Sequence, residues 1–426
     1  MEDNNKNEEF QFIQERVKQV PLNRKKLIRR TVITAAMAVI FGVLACFTFL
    51  VLEPVFFNFL HPQEPIQTVT IPDDVDEILP EDMVLEDEQE PTIQIIEQKS
   101  EVDPKQLYIN EYEELYGIVK GVMPSIVTVT SVKQDVDWFD NSYENKSSTS
   151  GIYVANNGRQ SLILAHTDAI ENSEEISVTF YDGTSASGAI KQKDANTGLC
   201  IVAVEIANIE DKTWKNIKVA TLGNSKVSTL IATPIIAIGR PYGSSDSVAY
   251  GMLASKSLCS DRADQNYEMF TTDIYGSKNA TGIIVDLRGE VLGIIDQSLN
   301  TEDAANLISA LGISDIKKDI ERMSNGKAKT YLGVKGVDVS KYANQSQGVP
   351  TGAFVKEIVM GSPAMNAGIQ SGDVIVELGG REINKYSDLL TALGEKYPGT
   401  TVTVKVMRQG GDSYQEIDLE ITLGQN

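Results

Sequence analysis

Residues 31–52 form an uncharged stretch of 22 residues, rich in Ala, Val, Leu and Phe. As a helix this stretch would span roughly 33 Å, enough to cross the hydrocarbon core of a bilayer. Five basic residues precede it between positions 24 and 30, and Glu53 follows it. The positive-inside rule therefore predicts a single-pass protein of the cell membrane, with residues 1–30 cytoplasmic and the bulk of the chain extracytoplasmic. The alternatives are a buried core helix or a cleaved signal peptide, but the stretch is long for a signal and no clear small-x-small cleavage site follows it.

The charge of the chain is concentrated in the next segment. The chain carries 38 Lys+Arg against 60 Asp+Glu, a net charge of −22. Residues 64–103 contain 14 Asp or Glu and one Lys, and so contribute −13 of that total. Self-repelling charge and low hydrophobicity predict a disordered acidic stalk over residues 53–105. The strong negative charge also disfavours a nucleic-acid partner.

The inventory of histidine and cysteine limits the available chemistry. The chain has two histidines, His61 and His166, and three cysteines, Cys46, Cys200 and Cys259. This set cannot supply a four-ligand Cys/His zinc site at ordinary spacing, and we expect neither a metal nor a cofactor. Cys46 lies inside the predicted membrane span, whereas Cys200 and Cys259 are expected to be packed thiols, although a disulfide between them stays open.

The middle of the chain has a β-strand pattern from about residue 107 to residue 311. Short apolar or β-branched runs are separated by turn signals, which is typical of a barrel or sandwich. The predicted strands are residues 126–132, 176–180, 199–204, 235–238, 282–285 and 291–295. A helix is predicted over residues 313–323, because Ile313, Ile316, Ile320 and Met323 share one face and Asn325-Gly326 follows.

Specific sequence words appear in order through this region. They include VMPSIV at 122–127, VTFYDG at 178–183, DANTGLCIV at 194–202, AIGRPYG at 237–243 and GIIVDLRGEVLGI at 282–294. Together they resemble the serine-protease domain of the HtrA (Deg) family. The resemblance implies an all-β double barrel of chymotrypsin type over residues 106–326, in a chain ordered like the membrane-anchored members of the family.

The catalytic triad expected from this resemblance is not present. Residues 163–170 read ILAHTDAI and place Asp168 at the histidine position, while Gly198 stands where the family has the orienting Asp. Ala280 replaces the nucleophilic Ser, and Lys278 stands at the glycine position of the oxyanion hole. Since a missing triad costs on the order of 10⁶ in turnover, we expect no ordinary protease activity. A relocated site built from His166 and Ser277 is the alternative, but His166 is expected to be a surface or turn residue.

The end of the chain resembles a bacterial PDZ domain, of mixed α/β structure, over residues 329–426. The words that carry the resemblance are YLGV at 331–334 and GSPAMNAGIQSGDVI at 361–375. A PDZ domain adds an extended peptide to a sheet edge and holds its terminal carboxylate on backbone N–H groups. By resemblance Tyr331, Leu332, Gly333 and Val334 form the carboxylate loop. Leu389, Leu390 and Leu393, in a helix predicted over residues 387–393, would line the pocket for the last side chain.

Three functional hypotheses follow. The first is a membrane-anchored pseudoprotease that binds C-terminal or unfolded segments of exported proteins, in protein quality control or stress sensing. The second is an active serine endopeptidase with a rearranged site. The third is a regulatory subunit of an active HtrA paralogue, because the resemblance implies barrels that assemble as a homo-trimer or a hetero-oligomer. An unused PDZ groove that serves only for domain packing is the alternative to peptide binding.

Overall fold

Two closed six-stranded barrels and a PDZ-like sheet domain follow one another along the chain in the computed structural model. The structure describes residues 66–74, 103–136, 142–171, 173, 175–243, 246–259, 262–411 and 413–425, with isolated positions between 32 and 44. Residues 65–426 form one compact unit. The expected double barrel with a C-terminal PDZ domain is therefore confirmed.

The predicted cytoplasmic tail and membrane span lie outside the described residues, apart from those isolated positions in the span. Among the residues that are described, no helix is both long and apolar enough to cross a bilayer. The membrane anchor over residues 31–52 stays a prediction.

The first barrel has the strand order β1-β2-β3-β6-β5-β4 and closes between β1 and β4. Its strands are β1 (Ile126–Val136), β2 (Ser142–Asn156), β3 (Gln160–His166), β4 (Glu175–Phe180), β5 (Ser185–Asp194) and β6 (Leu199–Glu205). In β4 every second residue is buried, Ile176, Val178 and Phe180, because successive side chains of a strand point to opposite faces.

The second barrel has the order β10-β11-β12-β9-β8-β7 and closes between β10 and β7. Its strands are β7 (Pro234–Arg240), β8 (Ser247–Cys259), β9 (Tyr267–Tyr275), β10 (Thr281–Val285), β11 (Val291–Ile295) and β12 (Leu307–Gly312). Residues of both barrels share one hydrophobic core, with Leu164 and Ile201 from the first and Ile238 and Ile283 from the second.

The PDZ domain has its own core beneath a sheet of order β14-β15-β16-β18-β19. The strands are β13 (Thr330–Tyr331), β14 (Val334–Asp338), β15 (Ala353–Ile358), β16 (Val374–Leu378), β17 (Arg381–Glu382), β18 (Thr401–Gly410), β19 (Ser413–Thr422) and β20 (Gly424–Gln425). β17 pairs with β16, and β13 pairs with β20. Within the described part of the chain, β14 pairs with β15 alone, so its other edge bears no strand.

Six α-helices occur in the described residues after position 102. They are α1 (Pro104–Val122), α2 (Asp211–Trp214), α3 (Ile313–Ser324), α4 (Lys341–Gln347), α5 (Pro363–Ala367) and α6 (Tyr386–Gly394). The predicted helix at residues 313–323 is confirmed as α3. Its four apolar residues are buried, and the chain leaves the helix at Asn325 and Gly326.

Helix α1 corrects the sequence interpretation, which assigned its residues to the stalk and to a β-like region. The Asp103 side chain caps the helix by accepting the Lys105 N–H, and Pro104 occupies the first turn. Only Val119 and Val122 of this helix are buried. Because the apolar residues of α1 are mostly exposed, they form no buried stripe that periodicity could reveal.

A second correction concerns the predicted disordered stalk, in which residues 66–74 are bound to the folded unit. Asn325 donates from its side chain to the Val69 carbonyl at 2.9 Å and accepts the Val69 N–H at 3.0 Å. Glu321 accepts the Ile71 N–H, and Asp74 forms an ion pair with Lys317. Local composition indicated disorder, whereas polar side chains of α3 and of Asn325 just after it fix this stretch from 240 or more residues away in sequence.

Candidate functional site

The three positions predicted to be equivalent to a catalytic triad lie beside three different strands. Asp168 is exposed in the turn after β3, Gly198 immediately precedes β6, and Ala280 is buried immediately before β10. Gly198 has no carboxylate and Ala280 has no hydroxyl, so neither can supply the group that the family pattern expects at its position.

Gly198 has a left-handed backbone conformation and carries no carboxylate. Its φ angle is +66°, in the left-handed region that side chains other than Asn and Asp rarely adopt. Its carbonyl accepts the Thr167 N–H at 2.8 Å and the Thr167 hydroxyl at 2.9 Å. These two hydrogen bonds join the residue before β6 to the turn after β3.

The segment that would form the oxyanion hole has an internal backbone hydrogen bond. The Ala280 N–H donates to the Ser277 carbonyl at 3.0 Å, so it is engaged within its own loop. Lys278, at the other expected donor position, is exposed. An oxyanion hole needs both N–H groups aimed at one point in the substrate site, and one of them is already satisfied internally.

The sequence analysis predicted that His166 is a surface or turn residue, but the structure buries its side chain. It is only 8% exposed, and its Nε2 lies 2.7 Å from the Ile295 carbonyl oxygen at the end of β11. A carbonyl only accepts hydrogen bonds, so Nε2 carries the proton and donates. His166 therefore links the two barrels through the nitrogen that a serine protease would need as a base.

Ser277 makes contacts with its own loop and with the second barrel. Its Oγ accepts the Asn279 N–H at 3.2 Å, and its carbonyl accepts the Gln297 side-chain amide at 3.0 Å. Its N–H donates to the Pro241 carbonyl. These contacts fix the loop that contains Ala280.

Cys200 is a free thiol buried in β6, which excludes the disulfide with Cys259 that the sequence left open. Its Sγ donates to the Ala165 carbonyl at 3.5 Å. Burial raises the pKa of the Cys200 thiol to about 12. A thiol in this environment is a packing group rather than a nucleophile.

The carboxylate loop of the PDZ domain lies between β13 and β14. Tyr331 ends β13, Leu332 is buried, and Val334 begins β14. Gly333 has a φ angle of +90°, and an added side chain there would overlap Ser362. This turn directs three consecutive N–H groups, those of Leu332, Gly333 and Val334, to one point.

The group at that point is the carboxylate of Asp264, from the turn between β8 and β9 of the second barrel. Leu332 and Gly333 each donate an N–H to Asp264 Oδ2 at 2.7 Å, and Val334 donates to Oδ1 at 3.0 Å. The Asp264 N–H in turn donates to the Val334 carbonyl at 2.7 Å. The carboxylate loop therefore binds a carboxylate that belongs to the same chain.

The surroundings of Asp264 act on its charge in opposite directions. Its side chain is buried, and this burial raises the pKa of the Asp264 carboxyl above its usual range. The three N–H donors and the nearby Lys329 ammonium lower the pKa and offset part of this effect. Lys329 also donates a short hydrogen bond to Gln265, the next residue.

Tyr386, the first residue of α6, lies against β14. Its ring lies against Gly336, and its hydroxyl donates to the Val334 carbonyl at 2.8 Å. Burial, followed by the charge of Asp264, raises the pKa of the Tyr386 hydroxyl, while the Gly336 N–H opposes the shift. Of the three leucines expected in a peptide pocket, Leu389 and Leu393 are buried in the PDZ core and Leu390 is partly buried.

Sequence reasoning missed Asp264 and Tyr386. No motif marks Asp264, which lies 68 residues before Leu332 in the sequence and in another domain. Its φ angle of +54° gives one retrospective signal, because Asp is among the few residues that tolerate this region. Tyr386 could have been noticed as the residue immediately before the predicted helix at residues 387–393.

Known proteins match this architecture in both domains. The family model described as a trypsin-like peptidase domain matches residues 149–294, and the model described as a PDZ domain matches residues 330–421. The serine protease Do-like HtrA of Bacillus subtilis is 25% identical over 334 residues, covering 72% of this chain and 73% of its own length. The probable periplasmic serine endoprotease DegP-like of Hahella chejuensis is 27% identical over 347 residues, covering 72% of this chain and 69% of its own.

Among solved structures, the HtrA-type protease AlgW with a decapeptide superimposes with a TM-score of 0.53 at 18% identity. The match covers 73% of this chain and 98% of that one, and it supports the fold. A trypsin-like peptidase domain followed by a PDZ domain is thus the class that fold and sequence define. The two family models and the relatives together support membership of the HtrA family of such proteins.

Proposed function

We propose that this chain is a membrane-anchored pseudoprotease that binds free C-terminal or unfolded segments of extracytoplasmic proteins through its PDZ domain. The observation that carries the proposal is the convergence of three N–H groups, from Leu332, Gly333 and Val334, on one carboxylate. A peptide terminus presents the same chemical group, and charge-assisted hydrogen bonds of this kind are the strong ones.

The state of the protease domain supports the first half of the proposal. The expected nucleophile is Ala280, and the N–H of this residue is engaged by the Ser277 carbonyl. Removing the triad costs on the order of 10⁶ in turnover, and the residual ~10³-fold enhancement relies largely on the oxyanion hole. With both devices altered, binding is the activity that the remaining groups can perform.

The relatives support the second half. A solved HtrA-type relative is described with a decapeptide, and another relative is named as a probable periplasmic serine endoprotease. By analogy, this chain would meet its clients outside the cytoplasm, consistent with the orientation predicted for residues 31–52.

The competing function, a serine endopeptidase with a rearranged site, would rely on His166 and Ser277. Both residues have other partners: His166 donates to Ile295, and the Ser277 hydroxyl accepts the Asn279 N–H. A nucleophile and its base must come within about 2.6–3.2 Å of each other, and His166 Nε2 could act as that base only if its contact with Ile295 were broken.

The first test is cleavage of an unfolded, casein-like substrate by the purified full-length chain. His166→Ala, Ser277→Ala and Ala280→Ser variants are measured beside it. We expect no turnover from any of them, because no single change restores both a base and an oxyanion hole. Turnover by the natural chain that disappears in His166→Ala or Ser277→Ala would establish an active protease instead.

The second test is binding of decapeptides that end in Leu, Val or Phe, each prepared with a free and an amidated C-terminus. We expect peptides with a free carboxylate to bind and the amidated peptides to bind at least tenfold more weakly. A terminal amide is neutral, so it cannot form charge-assisted hydrogen bonds with the three N–H donors. Equal affinity for the two forms would refute capture of C-termini.

A further inference from the structure

The contact between Asp264 and the carboxylate loop has the bond pattern of a bound peptide terminus. The side-chain carboxylate accepts three N–H groups, and the backbone N–H of the same residue donates to Val334. An added strand forms main-chain hydrogen bonds with the edge it joins, and its terminal carboxylate lies at the end of that edge. Asp264 supplies both elements from a single residue.

The contact continues along the free edge of β14. Two residues after Asp264, the Asn266 side-chain amide donates to the Gly336 carbonyl at 3.1 Å. Val334 and Gly336 are alternate residues of one strand, so both their carbonyls are directed toward the same edge. The 262–266 segment therefore satisfies two successive acceptors that an incoming peptide would use.

The geometry of Asp264 is costly unless this contact is made. Its side chain is 4% exposed and its φ angle is +54°. A buried carboxylate without partners is strongly unfavourable, and the left-handed backbone adds further strain. The three N–H donors offset these costs, and the contact of Lys329 with Gln265 fixes the neighbouring residue.

We propose that Asp264 is an internal ligand of the PDZ domain, and that a peptide terminus binds only when the 262–266 segment leaves the carboxylate loop. The inference rests on the proposed function, since it specifies how the same loop is regulated.

The competition is dictated by the number of donors. The loop offers one set of three N–H groups, and two carboxylates cannot share it without mutual repulsion. The apparent dissociation constant for a peptide is then the intrinsic constant divided by the fraction of molecules whose loop is open. Removing the internal carboxylate should increase peptide affinity.

The test uses the full-length chain and the labelled decapeptides ending in Leu, Val or Phe, with free and amidated termini. Asp264→Gly removes the carboxylate while tolerating the positive φ angle. Asp246→Gly is the matched control, because Asp246 has a φ angle of +55° in the turn between β7 and β8 and is exposed. We expect Asp264→Gly to bind free termini at least tenfold more tightly than the natural chain, and Asp246→Gly to bind like the natural chain.

A second measurement needs no substitution. In hydrogen–deuterium exchange of the natural chain, saturating free-terminus peptide should accelerate exchange in the 262–266 segment while residues 332–334 stay protected. Unchanged exchange in the 262–266 segment at saturation would overturn the competition, even if Asp264→Gly proved misfolded.

The two possible failures are distinguishable. If the natural chain and Asp264→Gly bind free termini equally tightly, the internal-ligand inference is wrong while the proposed function stands. If the folded Asp264→Gly chain shows no preference for free termini over amides, the proposed capture of C-termini is wrong, and the inference fails with it.

Discussion

At the scale of single residues, Gly333 determines whether the carboxylate loop can form. Its φ angle is +90°, and a Cβ atom there would overlap Ser362. We expect Gly333→Ala to destabilise the PDZ domain by at least about 3 kcal/mol, from strain and overlap together. The measurement is the free energy of local opening from hydrogen exchange of PDZ amides.

Gly368 provides the control for Gly333. It has the same φ angle of +90°, but no atom lies within 4 Å of its ideal Cβ position. Gly368→Ala should therefore cost only the conformational strain, about 1–2 kcal/mol. Equal losses for the two variants would show that the overlap with Ser362 is relieved and does not constrain the loop.

Cys200 gives a residue-scale prediction about reactivity. A pKa of about 12 leaves roughly 10⁻⁴ of the thiol ionised at pH 8, and only the thiolate reacts with iodoacetamide. We expect the Cys200 peptide to stay unmodified in the folded chain at pH 8 and to be alkylated quickly in guanidinium. Mapping of modified peptides by mass spectrometry separates Cys200 from Cys46 and Cys259, and rapid alkylation in the native chain would contradict its burial.

At the scale of single residues, the sequence predicted which residues occupy the motif positions but did not predict which distant residues contact them. A family motif assigns a role to each triad position, so the sequence alone predicts the substitutions at Asp168, Gly198 and Ala280. The burial of His166 depends on Ile295, 129 residues away, and the role of Asp264 depends on another domain. Such partners are set by tertiary packing, which a single sequence does not display.

At the scale of elements, the bound segment of residues 66–74 depends on Asn325 at the end of α3. Asn325 forms two hydrogen bonds with Val69 and a third with the Glu321 carbonyl. We expect Asn325→Ala to weaken attachment of the segment by about 2 kcal/mol, because two buried backbone groups of Val69 lose their partner. Faster hydrogen exchange in residues 66–74 is the readout.

Lys318 is the control for that prediction. It lies on the same helix and is 75% exposed, with its ammonium 3.8 Å from Asp73 of the same segment. An exposed ion pair of this kind contributes little, so Lys318→Ala should leave exchange in residues 66–74 nearly unchanged. If both variants release the segment equally, general charge rather than the Asn325 hydrogen bonds holds it.

The predictable helices and strands are those in which apolar residues recur at the spacing of one secondary structure. Helix α3 has a buried stripe of apolar residues, and β11 was placed with its observed bounds, because each pattern matches one secondary structure. Helix α1 was missed because its apolar residues are mostly exposed. Strands such as β5 were missed because their polar residues give no strong alternation.

At the scale of the whole molecule, one buried ionic cluster connects four parts of the chain. Asp194 ends β5 and accepts hydrogen bonds from Arg322 of α3 at 2.6 Å and from Lys329 of the linker to the PDZ domain at 3.3 Å. Asp319 contacts both cations, and Lys329 also contacts Gln265 beside Asp264. These polar contacts therefore link the first barrel, helix α3, the linker and the segment that contains Asp264.

Substitution of Asp194 tests this connection. Its side chain is fully buried, so Asp194→Ala leaves two largely buried cations, Arg322 and Lys329, with Asp319 as their remaining carboxylate partner. Breaking a buried pair in this way costs about 3–5 kcal/mol. We expect a lower urea midpoint by tryptophan fluorescence, which reports on Trp138 and on Trp214 beside the first barrel, and faster exchange in the 262–266 segment.

Glu205 is the matched control, since it is a carboxylate of the same barrel whose ion pair with Arg159 is solvent-exposed. Glu205→Ala should cost less than about 1 kcal/mol. A midpoint shift for Asp194→Ala no larger than that for Glu205→Ala would mean that the cluster does not hold the domains together. A large shift without faster exchange in the 262–266 segment would separate the two roles: Asp194 would stabilise the barrels, and the Asp264 contact would be maintained by the carboxylate loop alone.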